Sequence, residues 1–244
     1  MVSELWPGGP AFKEEDDVHR VGADSVLLAD FAAGARAANK RLAADLGCGS
    51  GIISVLLALN DPSLHIDAIE IRPRAAVLAG ENAALSGLSN RVKIVEGDLR
   101  RHRDFLQSGA YDFAVSNPPY NHSGSGARHA NSGLAAARDD ELCTLGDLCL
   151  TAKYLIRWGG SFFLVHKPER LAVIFGALSA NGFEPKRLRF VQHNASSPPN
   201  LVLVESLRGG KPSLNVGAPL ILTNEDGSES DEVKRIYRRH SVEY

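Results

Sequence analysis

The sequence is poor in cysteine, in aromatic residues and in long apolar runs. Of its 244 residues, three are cysteines and 7% are aromatic. Cys48, Cys143 and Cys149 are odd in number and lack C-x-x-C spacing, which argues against a disulfide framework and against a zinc site. No apolar run approaches membrane-spanning length, and the N-terminus lacks the basic-then-apolar pattern of a signal peptide. The composition therefore predicts a cytoplasmic protein with reduced thiols, no metal and no membrane segment.

An excess of positive charge is also missing, since the formal net charge is −2. Proteins that bind nucleic acid usually carry a basic surface, because they neutralise phosphates. Residues 100–103, Arg-Arg-His-Arg, form a local basic run directly after a predicted strand. An RNA partner would therefore depend on such local runs, and Arg100 and Arg101 are the candidate contacts.

Strand and helix patterns alternate along the chain without internal repeats. A chain of this length with 44% hydrophobic residues can bury one sizeable core, so we expect a single α/β domain over residues 1–244. Predicted strands at residues 187–191 and 201–206 have no helix between them. They should therefore form an antiparallel pair at one edge of a mostly parallel sheet.

The glycine-rich segment lacks the dinucleotide-binding spacing G-x-G-x-x-G. Residues 42–57 run from an apolar strand through Gly47, Gly49 and Gly51 into a helix, and Ile52 follows the last glycine. The spacing G-x-G-x-G disfavours a pyrophosphate cradle and hence a nicotinamide oxidoreductase. Asp45, just before the turn, also disfavours a pyrophosphate ligand, because a carboxylate is unfavourable near phosphate and favourable near an ammonium group.

Two further carboxylates follow predicted strands of the same sheet. Glu70 ends the next strand about 20 residues past the loop, the offset at which a carboxylate can accept both hydroxyls of a ribose. Asp98 follows the third strand and could accept an adenine amino group. Either residue alone could be a helix cap or a solvated strand end. Together with Asp45 they favour S-adenosyl-L-methionine, which carries an ammonium group, a ribose and an adenine.

The tetrapeptide Asn117-Pro118-Pro119-Tyr120 follows the apolar run at residues 111–116. The prolines hold the chain extended, so that the Asn117 amide oxygen and the Pro118 carbonyl can face one ligand. Two such acceptors match the two N–H donors of a planar amine such as adenine N6, and Tyr120 can cover the ring. An isolated N-P-P sequence is more often a plain turn. The acidic strand ends upstream favour the amine clamp.

With these motifs the chain resembles the S-adenosylmethionine-dependent methyltransferases that act on amino nitrogens through an N-P-P-[YF] motif. Residues 20–29 and 219–223 are similar to the bacterial tRNA1(Val) adenine-N6 methyltransferase family. The resemblance implies a Rossmann-like, seven-stranded, mostly parallel sheet of the class I methyltransferases, with an antiparallel edge hairpin and helices on both faces. It also implies an N-terminal helical segment at residues 1–40 that closes the cofactor pocket, followed by a catalytic core at residues 41–244.

The motifs and the resemblance assign three groups of residues. Asp24 is placed near the methionine end of the cofactor, and Asn117 is assigned to both substrates. In one departure from the family, Asn121 stands where a second aromatic residue is common. The composition of residues 121–132, rich in Gly, Ser, Asn and His, suits either a mobile loop that orders over the substrate or a disordered connection. The cofactor residues are Asp24, Asp45, Gly47, Gly49, Gly51, Glu70, Asp98, Leu99 and Asn117; the catalytic residues are Asn117, Pro118 and Tyr120; the substrate-binding residues are Pro119, Tyr120, Arg100, Arg101 and Arg138.

The expected activity is methyl transfer to the exocyclic N6 amine of an adenine in RNA, with the anticodon-loop adenine of tRNA1(Val) as the target that the resemblance implies. No general base is required, because the amine can lose its proton to water after attack. Alternatives are N5-methylation of a protein glutamine, N2-methylation of a guanine in rRNA, and a non-catalytic protein that binds the cofactor or RNA. A monomer or weak dimer is expected.

Overall fold

The computed structural model describes residues 2–15, 18, 21–34, 42–120 and 143–239, which form strands and helices in alternation. The strands are β1 (Val2–Glu4), β2 (Ala11–Lys13), β3 (Leu42–Leu46), β4 (His65–Glu70), β5 (Val92–Glu96), β6 (Tyr111–Ser116), β7 (Ile156–His166), β8 (Phe183–Gln192), β9 (Pro199–Arg208), β10 (Asn215–Val216) and β11 (Leu220–Ile221). The helices are α1 (Ala23–Ala33), α2 (Ile52–Asn60), α3 (Pro73–Leu85), α4 (Leu145–Leu155), α5 (Leu171–Ala180) and α6 (Asp231–Arg239), with 3-10 turns at Leu99–Asp104 and Pro168–Arg170.

Seven of the strands build the main sheet in the order β8, β9, β7, β6, β3, β4, β5. All neighbours from β7 to β5 are parallel, whereas β9 is antiparallel to both β7 and β8. The predicted seven-stranded sheet with an antiparallel edge pair is therefore confirmed. The two-residue strands β10 and β11 pair in parallel with β8 and extend this edge beyond the prediction.

Helices cover both faces of the sheet, and the side chains of each strand alternate between two cores. On β7, Phe163 and Val165 belong to the core that includes α1, α2 and α6, while Phe162 and Leu164 belong to the core that includes α4 and α5. This alternation follows from the two-residue repeat of a strand that is covered on both sides. The α/β class predicted from the sequence is thus confirmed.

The described part of residues 1–40 is only partly helical, unlike the prediction for this segment. Within that segment α1 is helical, but β1 and β2 pair as an antiparallel hairpin. The hairpin packs on α3, where the buried Asn82 side chain accepts a hydrogen bond from Lys13 N at 2.8 Å and donates one to Lys13 O at 3.1 Å. Strands of three residues are too short to show the alternation by which a sequence pattern reveals a strand.

Candidate active site

The sheet brings the predicted strand ends together at one edge. Strand β3 lies between β4 and β6, and Asp45 is level with Ala68 on one side and Val115 on the other. Because the three strands are parallel, the glycine loop after β3, Glu70 at the end of β4 and Asn117 after β6 all lie at the carboxyl edge. This is the edge where open parallel sheets bind ligands.

Asp45 is completely buried beneath the glycine loop. Its Oδ2 accepts a hydrogen bond from Ser54 Oγ of α2 at 2.7 Å, whereas its Oδ1 has no hydrogen-bond partner among the described residues. Burial raises the pKa of this carboxyl to about 7, although the Ser54 hydrogen bond acts in the opposite direction. A buried acceptor without a partner is costly, so this oxygen is suited to a donor or cation brought by a ligand.

The three glycines of the loop have different structural roles. All have positive φ, of 79° at Gly47, 57° at Gly49 and 85° at Gly51. A Cβ added at Gly47 or Gly49 would meet no atom within 4 Å, so the backbone there borders open space. A Cβ at Gly51 would lie 3.0 Å from the Cβ of Ala79, which makes this glycine a packing contact between α2 and α3.

Glu70 is buried and holds the glycine loop in place. Its Oε2 accepts a hydrogen bond from Gly49 N at 2.8 Å, and its Oε1 accepts from Arg72 N at 3.0 Å and Arg72 Nε at 3.1 Å. The carboxylate therefore lies at the strand end beside the glycine loop, with one oxygen bound to the loop and the other to Arg72. A carboxylate has about four acceptor positions, so these contacts leave capacity for a ligand hydroxyl.

Asp98 is already paired with Arg100. Its Oδ1 accepts from Arg100 N at 2.9 Å, and its Oδ2 accepts from Arg100 Nη2 at 2.6 Å, while Nε lies within 3.1 Å of both oxygens. The Arg100 side chain holds the pKa of Asp98 below its ordinary value. The predicted cofactor contact and the predicted RNA contact thus bind each other.

Asn117 and Tyr120 share a closed hydrogen-bond network with the start of α1. Asn117 Nδ2 donates to Ser25 Oγ at 3.0 Å, and Ser25 N donates to Asp24 Oδ1 at 2.8 Å. The Tyr120 hydroxyl lies 2.9 Å from Asp24 Oδ2 and 2.7 Å from Asn117 Oδ1. One hydroxyl proton can be donated fully to one acceptor at a time, so the Tyr120 hydroxyl does not satisfy both Asp24 and Asn117 at once.

The ring of Tyr120 lies next to the last residue of β7 and the residue that follows it. Its centroid lies 5.3 Å from that of His166, and Lys167 Nζ lies 5.2 Å from the Tyr120 centroid. Burial, followed by the nearby Asp24 carboxylate, raises the pKa of the Tyr120 hydroxyl, which therefore remains protonated and able to donate. Pro119 is exposed beside it, and Pro118 is partly buried.

The remaining predicted site residues are arranged in other ways. The Leu99 side chain is buried in the core under α4, and its carbonyl accepts a hydrogen bond from Thr151 Oγ1 at 2.9 Å. Arg101 pairs with Asp104 at 2.9 Å on the surface. Arg138 and the predicted mobile loop at residues 121–132 lie outside the described residues.

Three neighbours of the site were not among the residues predicted from the sequence. Ser54 could have been suspected, because it lies in the first turn of α2, over the acidic strand end. Ser25 follows Asp24 directly, and Lys167 follows β7. No sequence pattern links Ser25 or Lys167 to Asn117 or Tyr120, since these contacts join distant parts of the chain.

Membrane and metal features were also sought in the described part of the chain. None of its helices is long and apolar enough to cross a membrane. Nor do the described residues contain a cluster of three or more histidine, cysteine, aspartate or glutamate side chains that could hold a metal ion.

Comparison with known proteins identifies the family. Residues 21–166 match the family model described as methyltransferase small domain, which spans the glycine loop, Glu70, Asp98 and residues 117–120. The chain belongs to this family. The match confirms the predicted membership of the S-adenosylmethionine-dependent methyltransferases.

Two relatives and one solved structure illustrate the similarity. Both relatives are named tRNA1(Val) (adenine(37)-N6)-methyltransferase. The one from Aeromonas hydrophila is 39% identical over 117 residues, which cover 48% of this chain and 47% of the relative. The one from Yersinia pseudotuberculosis is 33% identical over 181 residues, which cover 72% of this chain and 69% of the relative. The chain thus spans about half the length of the first of these relatives. A predicted O-methyltransferase from Agrobacterium tumefaciens has the same fold, with a TM-score of 0.73 at 19% identity over 90% of this chain and 98% of that one.

The residues at the sheet edge fit the cofactor of a methyltransferase. Asp45 Oδ1 is a buried acceptor without a partner among the described residues, and Gly47 and Gly49 present bare backbone to open space. An ammonium group suits the first feature, and close approach of a ligand to the backbone suits the second. Glu70, at the end of the next strand, retains acceptor capacity for a ribose hydroxyl.

Proposed function

We propose that the chain transfers a methyl group from S-adenosyl-L-methionine to the N6 amine of an adenine in RNA. The main support for this proposal is the position of Asn117. It follows β6, the neighbour of the strand that contains Asp45, and the Tyr120 hydroxyl lies next to the Asn117 side-chain amide. The carboxyl edge thus has one part suited to the cofactor and an adjacent part suited to a planar amine. A cytoplasmic location and work as a monomer or weak dimer remain part of the same proposal.

In the cofactor part, Asp45, Gly47, Gly49 and Glu70 would hold the ligand, and Asp98 would accept its adenine amine. Bound S-adenosyl-L-methionine supplies an electrophilic methyl group. Gly51 and Leu99 would act indirectly, through the packing of α2 on α3 and of the Leu99 turn on α4.

In the acceptor part, Asn117 Oδ1 would accept a hydrogen bond from the target amine. No described residue donates a hydrogen bond to the Pro118 carbonyl, which leaves it available as a second acceptor. When these two oxygens accept hydrogen bonds from both N–H groups of the amine, they favour a pyramidal nitrogen with a more localised lone pair. This is electrostatic activation of the nucleophile. The proton that the amine loses can pass to water, so the side chains need only position the amine.

The substrate class rests on the relatives and on the site together. The relatives from Aeromonas hydrophila and Yersinia pseudotuberculosis are named for adenine 37 of tRNA1(Val). This name supports the anticodon-loop adenine of that tRNA as the target of the present chain. Such a base must be unstacked to reach the clamp, and Tyr120 offers a ring on which it can stack.

The test is a transfer assay with labelled S-adenosyl-L-methionine. Total RNA and total protein from cells that lack the gene would each be incubated with the purified chain, then digested to nucleosides and amino acids. We expect the label in N6-methyladenosine from the tRNA fraction. Label in N2-methylguanosine or in N5-methylglutamine would instead assign one of the alternative substrates, and cofactor binding without any transfer would indicate a non-catalytic protein.

A further inference from the structure

Lys167 is a cation at the mouth of the acceptor site that the predicted contacts do not include. It follows β7 directly, and β7 is the neighbour of β6, with Leu164 level with Ser116. Its Nζ lies 5.2 Å from the centroid of the Tyr120 ring and 3.4 Å from Asn200 O. The ammonium group is therefore next to the ring on which a target base would stack.

Within the described part of the chain, Lys167 has no carboxylate partner, unlike the arginines predicted to contact RNA. Arg100 is paired with Asp98, and Arg101 is paired with Asp104. Among the described residues, no carboxylate lies within 4.0 Å of Lys167 Nζ. A cation near an acidic partner loses much of its attraction for phosphate. Lys167 should therefore attract a phosphate near the clamp more strongly than Arg100 or Arg101 does.

The backbone of Lys167 is fixed by the side chain before it. His166 is buried, and its Nδ1 accepts a hydrogen bond from Lys167 N at 2.7 Å. The same imidazole packs on Tyr120. The stem of Lys167 thus leaves the sheet at a position set by the residues that hold the ring, and the ammonium group remains partly exposed.

We propose that Lys167 binds a backbone phosphate adjacent to the target nucleotide and so orients that nucleotide over Tyr120. The inference rests on the proposed RNA substrate, because a nucleotide whose base lies on the ring carries a phosphate on each side of its sugar. A lysine is a compact point charge on a flexible stem, which suits contact with one phosphate oxygen.

The test compares RNA binding by Lys167→Met, Lys167→Arg and the wild type, each saturated with S-adenosyl-L-homocysteine. The probe is an anticodon stem-loop RNA with an unmodified adenine on the 3′ side of the anticodon. Methionine keeps an unbranched apolar side chain at this position but removes the charge. We expect Lys167→Met to weaken binding about fivefold and to reduce the slope of log affinity against log salt by about 1, whereas Lys167→Arg should restore both.

The control is Lys211→Met. Lys211 follows β9, which runs antiparallel to β7, so it lies at the end of the sheet opposite to the carboxyl edge. It should leave RNA affinity and the salt slope unchanged, and all variants should bind S-adenosyl-L-homocysteine as the wild type does. An unchanged salt slope in Lys167→Met, or an equal loss in Lys211→Met, would overturn the proposed phosphate contact. Failure of the wild type itself to bind the stem-loop or total tRNA would overturn the RNA substrate, and that result is distinct from a loss confined to Lys167→Met.

Discussion

The two parts of the site differ in how their polar groups are satisfied before any ligand binds. In the cofactor part, Asp45 Oδ1 is buried without a partner among the described residues, and bare glycine backbone faces open space. In the acceptor part, Asn117 and Tyr120 hydrogen-bond to each other and to Ser25 and Asp24. At Asp45 and the glycines the cofactor part is thus already open to its ligand, whereas the target amine must displace an internal hydrogen bond, as the cofactor's adenine must at Asp98.

The largest effect should come from Asn117→Ala, because it removes the acceptor that activates the amine. We expect RNA methylation to fall about 100- to 1,000-fold, while the affinity for S-adenosyl-L-homocysteine stays close to that of the wild type. The measurement pairs single-turnover methylation with calorimetric cofactor binding. Asn224→Ala, in an exposed turn, is the matched control. Undiminished turnover in Asn117→Ala would disprove the clamp.

Two substitutions at Tyr120 separate the role of its ring from the role of its hydroxyl group. Tyr120→Ala removes the stacking surface, so we expect RNA affinity to decrease about 10- to 100-fold. Tyr120→Phe keeps the ring and frees Asn117 Oδ1 from its internal donor, so its RNA affinity should equal or exceed that of the wild type. RNA binding by both variants, measured with saturating S-adenosyl-L-homocysteine, checks this expectation. If the phenylalanine variant loses as much affinity as the alanine variant, the internal hydrogen bond is not a competitor of the substrate.

Asp45→Asn should weaken cofactor binding about tenfold, because it removes the charge that suits an ammonium group. The free energy of unfolding, by contrast, should be higher in Asp45→Asn than in the wild type at alkaline pH. The native state of the wild type holds the Asp45 proton more tightly than the unfolded chain does, since burial raises the pKa from 3.8 to about 7. The wild type therefore loses stability as the pH rises through this window.

The asparagine variant lacks this titration, so its free energy of unfolding at pH 8 should exceed that of the wild type by on the order of 2 kcal/mol. Denaturant unfolding at pH 4 and pH 8 measures the difference. Asp61→Asn, after α2, serves as the control. An equal change at both pH values would contradict the assignment of the shift to Asp45.

The smallest effect concerns the pair of Asp98 and Arg100. Arg100→Gln frees the carboxylate for the adenine of the cofactor, and we expect the affinity for S-adenosyl-L-homocysteine to increase about threefold, within the range of an exposed ion pair. Arg101→Gln is the matched control, because Arg101 pairs with Asp104 instead. Calorimetric titration of both variants in the absence of RNA gives the comparison. A decrease in cofactor affinity for Arg100→Gln would show that the pair supports the cofactor site.

Much of the fold could be predicted from the sequence because its signals are local. The apolar strand at β3, the glycines after it and the acidic residues at strand ends all lie within short segments. The alternation of strands and helices then places those strand ends at one edge of the sheet. The absence of a helix between β8 and β9 likewise predicted their antiparallel pairing.

The contacts within the site could not be predicted, since they depend on how distant segments pack. Tyr120 and Asp24 are 96 residues apart, and Asn117 and Ser25 are 92 apart. The pairing of Asp98 with Arg100 needs the 3-10 turn at Leu99–Asp104, which brings the two side chains together. Sequence alone placed both residues near the ligands but gave no indication that they bind each other.

The most direct test of the amine clamp is a double-mutant cycle between Asn117 and the target amine. Stem-loop RNAs with adenine or with purine, which lacks the N6 amine, at the target position would be titrated against wild type and Asn117→Ala, each saturated with S-adenosyl-L-homocysteine. The clamp predicts that the wild type prefers adenine by about tenfold and that this preference falls to about threefold in Asn117→Ala, in which the Pro118 carbonyl is the one acceptor of the clamp that remains. An adenine preference of the same size in Asn117→Ala would contradict it.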